Sequence, residues 1–186
     1  MKASWVGIAL VCLLGCESVT MGPAPQWGTI NGVPFAPEDV FFLPSAQANG
    51  DYDFVLIAAD RLGYCSILQQ NLAGYPANLT YATVTLSNPI GTGSVNPAPG
   101  IYPVTDAYGA NASAQVTYGT VTNCVVSPVL TADAGAVVMT FLADDLSGMA
   151  GTFDAGFGTA GTLGGTFNAP VCDTSNAVQG ASQCYQ

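Results

Sequence analysis

Few side chains in this sequence can do acid–base or metal chemistry. Its 186 residues include 12 Asp and Glu, no His, and only two basic residues, Lys2 and Arg61, which gives a formal charge of −10. Without His there is no imidazole base, no His-containing triad and no His-ligated metal. A chain this acidic also lacks the positive surface that binds nucleic acid. The groups left for chemistry are Cys thiols, carboxylates and hydroxyls.

The first reactive group is the thiol of Cys16. It follows a basic start, Met1-Lys2, and an apolar stretch from Ala3 to Leu14, which is shorter than the roughly 20 residues that a transmembrane helix needs. Leu13-Leu14-Gly15-Cys16 resembles the lipobox of bacterial lipoproteins. The resemblance implies that residues 1–15 are a signal peptide and that Cys16 becomes the first mature residue. Diacylglycerol and acyl chains on Cys16 would then attach the protein to its partner, the membrane. The alternative is an ordinary secretory signal.

The residues after Cys16 bear on location and attachment. Glu17, not Asp, follows the lipobox, so the resemblance implies the outer membrane of a Gram-negative bacterium more than the inner membrane. Removal of residues 1–15 would leave Arg61 as the only basic side chain, and attachment would then depend on the lipid because anionic headgroups repel the acidic surface. Residues 16–26 are predicted to form a flexible tether reaching roughly 17 to 19 Å.

Four cysteines remain after Cys12 leaves with the signal and Cys16 is acylated: Cys65, Cys124, Cys172 and Cys184. An even number in an exported chain predicts two disulfides, and four cysteines allow three pairings. We favour Cys65 with Cys124 and Cys172 with Cys184, because the second bond would staple the polar tail, residues 173–186. A four-cysteine zinc site is the competing interpretation, but the close CxxC spacing of such sites is missing.

Two weaker patterns could hold a ligand. Asn49, Asp51 and Asp53 place oxygen atoms at alternate positions, as a calcium loop does at its start, but the Gly and Glu that complete such a loop are missing, so a solvated turn is favoured. Tyr75 and Tyr102 lie beside Pro, and Tyr108 beside Gly, in predicted loops. These tyrosines are expected to be exposed to a protein or glycan partner.

Catalysis by carboxylates would need two of them in one cleft. Asp144-Asp145 is predicted to form a turn before Leu146-Ser147-Gly148, and nothing in the sequence brings these residues close to Asp154. GxSxG, P-loop and dinucleotide motifs are absent from the sequence. We therefore predict a protein that is not an enzyme and has no cofactor beyond the lipid. An envelope hydrolase using paired carboxylates and a calcium-dependent adhesion domain are the alternatives.

From Trp27 onward, the sequence reads as short β-strands separated by Gly, Pro, Asn and Asp. Asn31-Gly32 predicts a hairpin turn, since both residues tolerate positive φ. Residues 62–72 alone predict a short helix. The predicted strands include continuous apolar runs at 54–59 and 136–142, and alternating segments at 82–86 and 114–118.

A hairpin near the end of the domain has a predicted register. If Thr159-Ala160-Gly161 forms the loop with Gly161 left-handed, Phe157 lies opposite Leu163, Ala155 opposite Gly165 and Phe153 opposite Phe167. A two-residue loop would instead mix apolar and polar residues on each face, so the hydrophobic pattern selects the first register.

These elements predict an all-β fold, an antiparallel β-sandwich of about eight to ten strands over residues 27–172, with a small β-barrel as the alternative. Thr29-Ile30-Asn31-Gly32 near the start, with Gly151-Thr152-Phe153 and the glycine-rich segment 163–172 at the end, is similar to uncharacterised β-sandwich lipoproteins of Gram-negative bacteria. That resemblance implies no activity. The sequence thus predicts a lipid-anchored cell-envelope protein whose domain has a binding or structural role.

Overall fold

Most of the chain lies in β-strands joined by tight turns. A computed structural model describes residues 26–46, 52–90, 93–94, 96–105 and 112–185. Its strands are β1 (Gly28–Ile30), β2 (Val33–Phe35), β3 (Asp39–Ala46), β4 (Tyr52–Ala59), β5 (Gly74–Pro76), β6 (Leu79–Ser87), β7 (Pro89–Ile90), β8 (Gly93–Ser94), β9 (Gly100–Pro103), β10 (Ser113–Thr122), β11 (Val125–Val126), β12 (Leu130–Thr131), β13 (Ala134–Leu142), β14 (Gly148–Gly156), β15 (Gly161–Pro170) and β16 (Gln183–Tyr185). The helices are α1 (Tyr64–Gln70) and a 3₁₀ turn at Gly158–Ala160.

Two six-stranded antiparallel sheets pack face to face. The front sheet has the order β2-β1-β15-β14-β13-β9, and the back sheet has the order β11-β10-β6-β4-β3 with β12 also paired to β10. The predicted all-β sandwich is confirmed, and the sheets do not close into the alternative barrel. The described sheets contain more strands than the predicted eight to ten, because edge strands as short as β11 and β12 have no recognisable sequence pattern.

The core lies between the two inner faces and follows the predicted alternation. On the back sheet, Val84 and Val116 lie opposite each other and are buried. On the front sheet, Val137 and Phe153 form a similar buried pair. The chain neighbours of Val84, Val116 and Phe153 are polar and point outward, so these strands have one buried and one outer face.

The Asn31-Gly32 turn joins β1 to β2 as predicted. Asn31 has a φ of 51° and Gly32 a φ of 77°, and Ile30 pairs with Val33 across the turn. Two consecutive positive φ values match the twist of a two-residue hairpin, which explains the choice of Asn and Gly.

The predicted register of the β14–β15 hairpin is wrong. Its loop is the 3₁₀ turn at Gly158–Ala160, so Phe153 lies opposite Gly165 and Ala155 opposite Leu163. Gly158 has a φ of 55°, and Gly161, the residue predicted to be left-handed, also has a positive φ, of 131°. The prediction that the large apolar residues of this hairpin lie on one face is confirmed. All of them are buried: Phe153, Phe157, Leu163 and Phe167.

The back sheet carries a second apolar layer on its outer face. Helix α1, within the predicted 62–72 segment, packs Leu68 against Phe41 and Ile57, which explains the unbroken apolar run at 54–59. The run at 136–142 has no equivalent cover among the described residues. There the strand contains a bulge after Met139, and Phe141 is 54% exposed.

The segment after β15 crosses α1 and ends beside β5. Val178 forms a parallel bridge with Asn71, and β16 pairs in parallel with β5. The buried Asn71 amide donates to the carbonyl of Ala181 at 3.3 Å, and its oxygen accepts from the backbone of Ala73 at 3.0 Å. The polar tail is therefore held by backbone pairing and by a buried amide.

Candidate functional site

The four cysteines form two disulfides, but the favoured pairing is wrong. The bonds join Cys65 to Cys172 and Cys124 to Cys184, each with an S–S distance of 2.04 Å. The sulfurs are bonded to each other, so they are not available for the four-cysteine zinc site that was the competing interpretation.

The first bond follows from the way the end of β15 meets β3. The backbone N–H of Cys172 donates to the carbonyl of Phe42 at 2.8 Å, which places Cys172 on the outer edge of the back sheet. Helix α1 covers Phe41 on that same face and brings Cys65 within bonding distance.

The second bond follows from the course of the tail. Cys124 lies in the β10–β11 turn, where its N–H donates to the carbonyl of Ala77 at 2.8 Å. The N–H of Ala77 donates in turn to the carbonyl of Tyr185 at 2.7 Å, so β16 runs past the turn and Cys184 reaches Cys124. The tail is stapled as predicted, but to the back sheet and not to Cys172.

The lipid and calcium predictions fall mostly outside the described residues. Cys16, Asn49, Asp51 and Tyr108 lie there, and the structure therefore adds nothing about them. Asp53 is described and is half-buried near the start of β4. Among the described residues, no cluster of three or more His, Cys, Asp or Glu side chains could hold a metal ion.

Tyr102 is not the exposed aromatic that the sequence predicts. It is 3% exposed because it pairs with the inner residue Val137, and its ring therefore enters the core. Its hydroxyl donates to the carbonyl of Ala98 at 2.6 Å and accepts from the N–H of the same residue at 2.8 Å. Burial raises the pKa of Tyr102. Tyr75 is half-buried in β5.

The three carboxylates considered for catalysis are exposed and do not share a cleft. Asp144 and Asp145 lie in the turn before β14, whereas Asp154 lies near the other end of that strand. The hydroxyl and backbone N–H of Ser147 lower the pKa of Asp145. Asp154 accepts a hydrogen bond from the backbone of Ala136 at 2.8 Å. The carboxylate of Asp145 is thus bonded within its own turn, and that of Asp154 is bonded to the neighbouring strand β13.

A cavity that no sequence motif indicates opens at one end of the sandwich. We call it the end cavity; it has a volume of about 300 Å³ and lies between the β1–β2 hairpin of the front sheet and the loop before β12 of the back sheet. Its apolar lining includes Ile30, Val33, Pro128 and Leu130, and its polar lining includes Thr80, Tyr118, Thr120 and Ser127. A space with apolar walls and several hydroxyls is typical of small-molecule sites.

Tyr118 is the most deeply buried polar side chain of the end cavity. It is 7% exposed, and its ring packs edge-on against Phe35 with the centroids 5.8 Å apart. Burial and the nearby charge of Asp60 raise the pKa of Tyr118, so at neutral pH the phenol keeps its proton and can donate.

Asp60 is fixed in place next to the end cavity. Its carboxylate accepts a hydrogen bond from the backbone of Thr80 at 2.7 Å, and its own N–H donates to the carbonyl of Thr80 at 2.9 Å. This reciprocal pair holds a negative charge close to Tyr118, which makes the local field unfavourable for anions.

The alternation of 114–118 correctly places Tyr118 on an inner face, but no motif marks its hydroxyl as functional. The sequence feature that could have indicated this site is a tyrosine at an inward position towards the end of a strand, because a buried phenol normally finds a hydrogen-bond partner.

No described helix is both long enough and apolar enough to span a membrane. No family model, curated protein or solved structure matches this chain.

Proposed function

We propose that the protein is a lipid-anchored component of a bacterial cell envelope, attached through Cys16, whose sandwich has a non-enzymatic binding or structural role. The observation that carries this proposal is Leu13-Leu14-Gly15-Cys16 at the end of an apolar stretch that is too short to span a bilayer. A cysteine at that position, after a small residue, is what lipid modification and cleavage require.

The two disulfides support export. Cytosolic thiols are kept reduced, whereas exported proteins keep their disulfides. Cys65–Cys172 joins residues 107 positions apart and Cys124–Cys184 joins residues 60 positions apart, so both act on the whole fold. A domain built around such bonds suits the periplasm or the cell surface.

The short tether supports a position close to the membrane. Trp27 is already buried in the core, so the domain begins within about ten residues of Cys16 and within roughly 17 to 19 Å of the lipid if those residues behave as a coil. The acidic composition adds no attraction for anionic headgroups.

The residue types support a role other than catalysis. His, the most common proton-transfer group, is absent from the sequence, and Lys2 is its only lysine, so acid–base catalysis would depend mainly on carboxylates. The carboxylates at Asp145 and Asp154 are exposed and separated along β14.

Mass spectrometry of the protein extracted from membranes tests the anchor. We expect a mature chain that begins at Cys16, carries diacylglycerol and acyl mass, and has its other four cysteines oxidised. Cys16→Ala should leave the membrane fraction or remain unprocessed. Cys12→Ala is the matched control, because it alters a thiol in the same apolar stretch and should mature normally. A Cys16→Ala protein that matures and stays in washed membranes would contradict the anchor.

Separation of inner and outer membranes tests the location. We expect the wild-type protein in the outer membrane and expect Glu17→Asp to shift it towards the inner membrane, because an Asp after the acylated cysteine is typical of inner-membrane retention. Equal distribution of the two proteins would show that Glu17 does not direct sorting.

A further inference from the structure

We propose that the Cys124–Cys184 bond is a redox switch: a dithiol reduces it selectively and releases the polar tail, while the Cys65–Cys172 bond and the sandwich stay intact. The bond holds the tail where it crosses α1 and pairs with β5. Release would expose the Asn71 amide, which is buried beneath the tail, and the backbone edge of β5.

The Cys65–Cys172 bond lies within an apolar layer. Cys172 is 1% exposed and belongs to the buried cluster beneath α1, against which Cys65 also packs. Thiol–disulfide exchange requires a thiolate to reach a sulfur atom, and apolar surroundings disfavour the charged thiolate that would have to enter or leave. The fold therefore protects this bond from reduction.

The Cys124–Cys184 bond lies in more open surroundings. Both cysteines are half-buried, and their chain neighbours Asn123, Val125 and Gln183 are exposed. Neither cysteine belongs to a hydrophobic cluster of the described residues. A thiolate can therefore approach this bond from water more easily than it can approach the bond beneath α1.

Cys124 also has an unusual backbone conformation. It follows Asn123 at the centre of the β10–β11 hairpin, where Thr122 pairs with Val125, and the φ values of Asn123 and Cys124 are 50° and 67°. Glycine is favoured at the second position of such a turn, because most side chains are strained at positive φ. Strained backbone positions cluster in switch regions, and strained or exposed disulfides are the ones most readily reduced.

The tail depends on this bond because it buries no side chain of its own. Every residue from Asp173 to Tyr185 is exposed or half-buried. The tail is otherwise held mainly by hydrogen bonds, and those from Leu72 to Val178 and from Gln183 to Ala73 are long, at 3.3 and 3.2 Å. Ordering the tail costs conformational entropy at each residue, and a few exposed hydrogen bonds do not offset that cost. Reduction should therefore release the tail.

The exchange consumes one dithiol for each bond that it breaks. A thiolate of the dithiol attacks one sulfur of the Cys124–Cys184 bond, a mixed disulfide forms, and the other cysteine leaves as a thiolate that takes up a proton. The second thiol of the dithiol then attacks the mixed disulfide and displaces the remaining cysteine. The dithiol is thereby oxidised to a disulfide, and Cys124 and Cys184 are reduced to two thiols.

The proposal does not depend on the lipid anchor, because both bonds lie in the folded domain. A failure of Cys16 to become acylated would leave it unchanged. Equal reduction of the two bonds would likewise leave the anchor unchanged.

Timed reduction of the full chain with dithiothreitol tests the selectivity. The protein with both bonds intact is incubated without denaturant, free thiols are trapped with N-ethylmaleimide, and peptide mass spectrometry locates the label. We expect Cys124 and Cys184 to be labelled at least about tenfold faster than Cys65 and Cys172. The control is the same reduction in concentrated guanidinium chloride, where the two bonds should react at similar rates because the fold no longer shields either.

Hydrogen exchange of single amides, followed by NMR with the reductant still present, tests the release. The N–H of Ala77 donates to the tail carbonyl of Tyr185, and the N–H of Gln183 belongs to the tail itself. After selective reduction, both amides should exchange at least about tenfold faster. The N–H of Ala132, which donates within the core, is the internal control and should keep its protection.

The double variant Cys124→Ala/Cys184→Ala reproduces the reduced state without a reductant. It should show the same fast exchange at Ala77 and Gln183. The double variant Cys65→Ala/Cys172→Ala is the matched control, because it keeps the bond to the tail, and these two amides should stay protected until dithiothreitol is added.

The measurements on the wild-type protein use no substitution, so they decide the question even if a variant fails to fold. Equal rates of reduction of the two bonds in the native protein, or faster reduction of Cys65–Cys172, would overturn the proposal. Unchanged exchange at Ala77 and Gln183 after selective reduction would overturn it as well, because the tail would then stay bound without the Cys124–Cys184 bond.

Discussion

The outer faces of the two sheets differ in what covers them. On the back sheet, Phe41 and Ile57 lie beneath α1, and the Cys65–Cys172 bond closes the cluster. On the front sheet, the outer positions of β14 and β15 are polar and exposed, as Thr152 and Thr166 illustrate. The apolar run at 54–59 lies beneath a second layer, whereas the run at 136–142 lies beneath none among the described residues. An apolar run therefore indicates a strand but does not by itself report how many layers cover it.

The largest effect that tests this comparison is the loss of stability on removing the Cys65–Cys172 bond. This bond lies on the outer face of the back sheet, which α1 covers and which we call the covered face. We expect the double variant Cys65→Ala/Cys172→Ala to lose about 5 kcal/mol of unfolding free energy, because the closed loop is long. The Cys124–Cys184 bond closes a shorter loop, so the double variant Cys124→Ala/Cys184→Ala should lose about 4 kcal/mol. Denaturant unfolding of both variants under non-reducing conditions gives the two values. A larger loss for the Cys124/Cys184 pair would show that the covered face does not depend on its own bond.

The next effect contrasts the two faces of β14. Phe153 is 4% exposed in the core, and replacing it with Ser should lower the unfolding free energy by about 4 kcal/mol, through lost burial and a cavity. Thr152→Ser, at the neighbouring exposed position, should change stability by less than about 0.5 kcal/mol. Urea unfolding of both variants measures the two losses. Similar losses of unfolding free energy for Phe153→Ser and Thr152→Ser would mean that the outer face of the front sheet is covered.

Strand positions and burial in this hairpin could be predicted from the sequence, but its register could not. The predicted and observed pairings place the same residues inward, because they differ by two positions and side chains alternate with a period of two. The hydrophobic pattern excludes the two-residue loop but does not distinguish Phe153 opposite Phe167 from Phe153 opposite Gly165. The choice depends on the 3₁₀ turn at Gly158–Ala160 and on Trp27, whose indole occupies the space above Gly165.

The disulfide pairing and the end cavity could not be predicted from the sequence, for a related reason. Cys172 meets Cys65 because β15 ends beside β3, which lies in the other sheet. Tyr118 lines a cavity because a front-sheet hairpin ends opposite it. Both arrangements depend on the order of strands across two sheets, and alternation within a strand carries no information about that order. The Asn31-Gly32 turn could be predicted because its determinants are local.

A smaller effect compares two aliphatic residues on the outer faces. Ile57 lies beneath α1 and is 7% exposed, so Ile57→Ala should cost about 2 to 4 kcal/mol. Val138 lies on the outer face of the front sheet next to Thr152 and is only half-buried, so Val138→Ala should cost less than about 1 kcal/mol. Thermal unfolding of the two variants side by side measures the difference. Equal losses would contradict the assignment of one covered and one open face.

The smallest effect appears only at high pH and concerns the same covered face. Tyr64 on α1 packs edge-on against Phe41 with the ring centroids 6.0 Å apart. Burial, with a smaller contribution from Tyr81, raises the pKa of Tyr64 from 10.0 to about 12. The folded protein therefore holds this proton more tightly than the unfolded chain does, and the stability linked to it is complete below pH 10 and is lost as the pH rises towards 12.

Tyr64→Phe separates this contribution from that of the other tyrosines whose pKa values burial raises, Tyr81, Tyr102 and Tyr118. The variant keeps the ring against Phe41 but cannot ionise, so its unfolding free energy should fall less steeply than that of the wild type between pH 10 and pH 12. Amide hydrogen exchange in the same range should show α1 opening before β14, because ionisation acts on the covered back face and not on the front sheet. Parallel pH dependence of the two proteins would mean that the Tyr64 phenol already reaches water in the folded state.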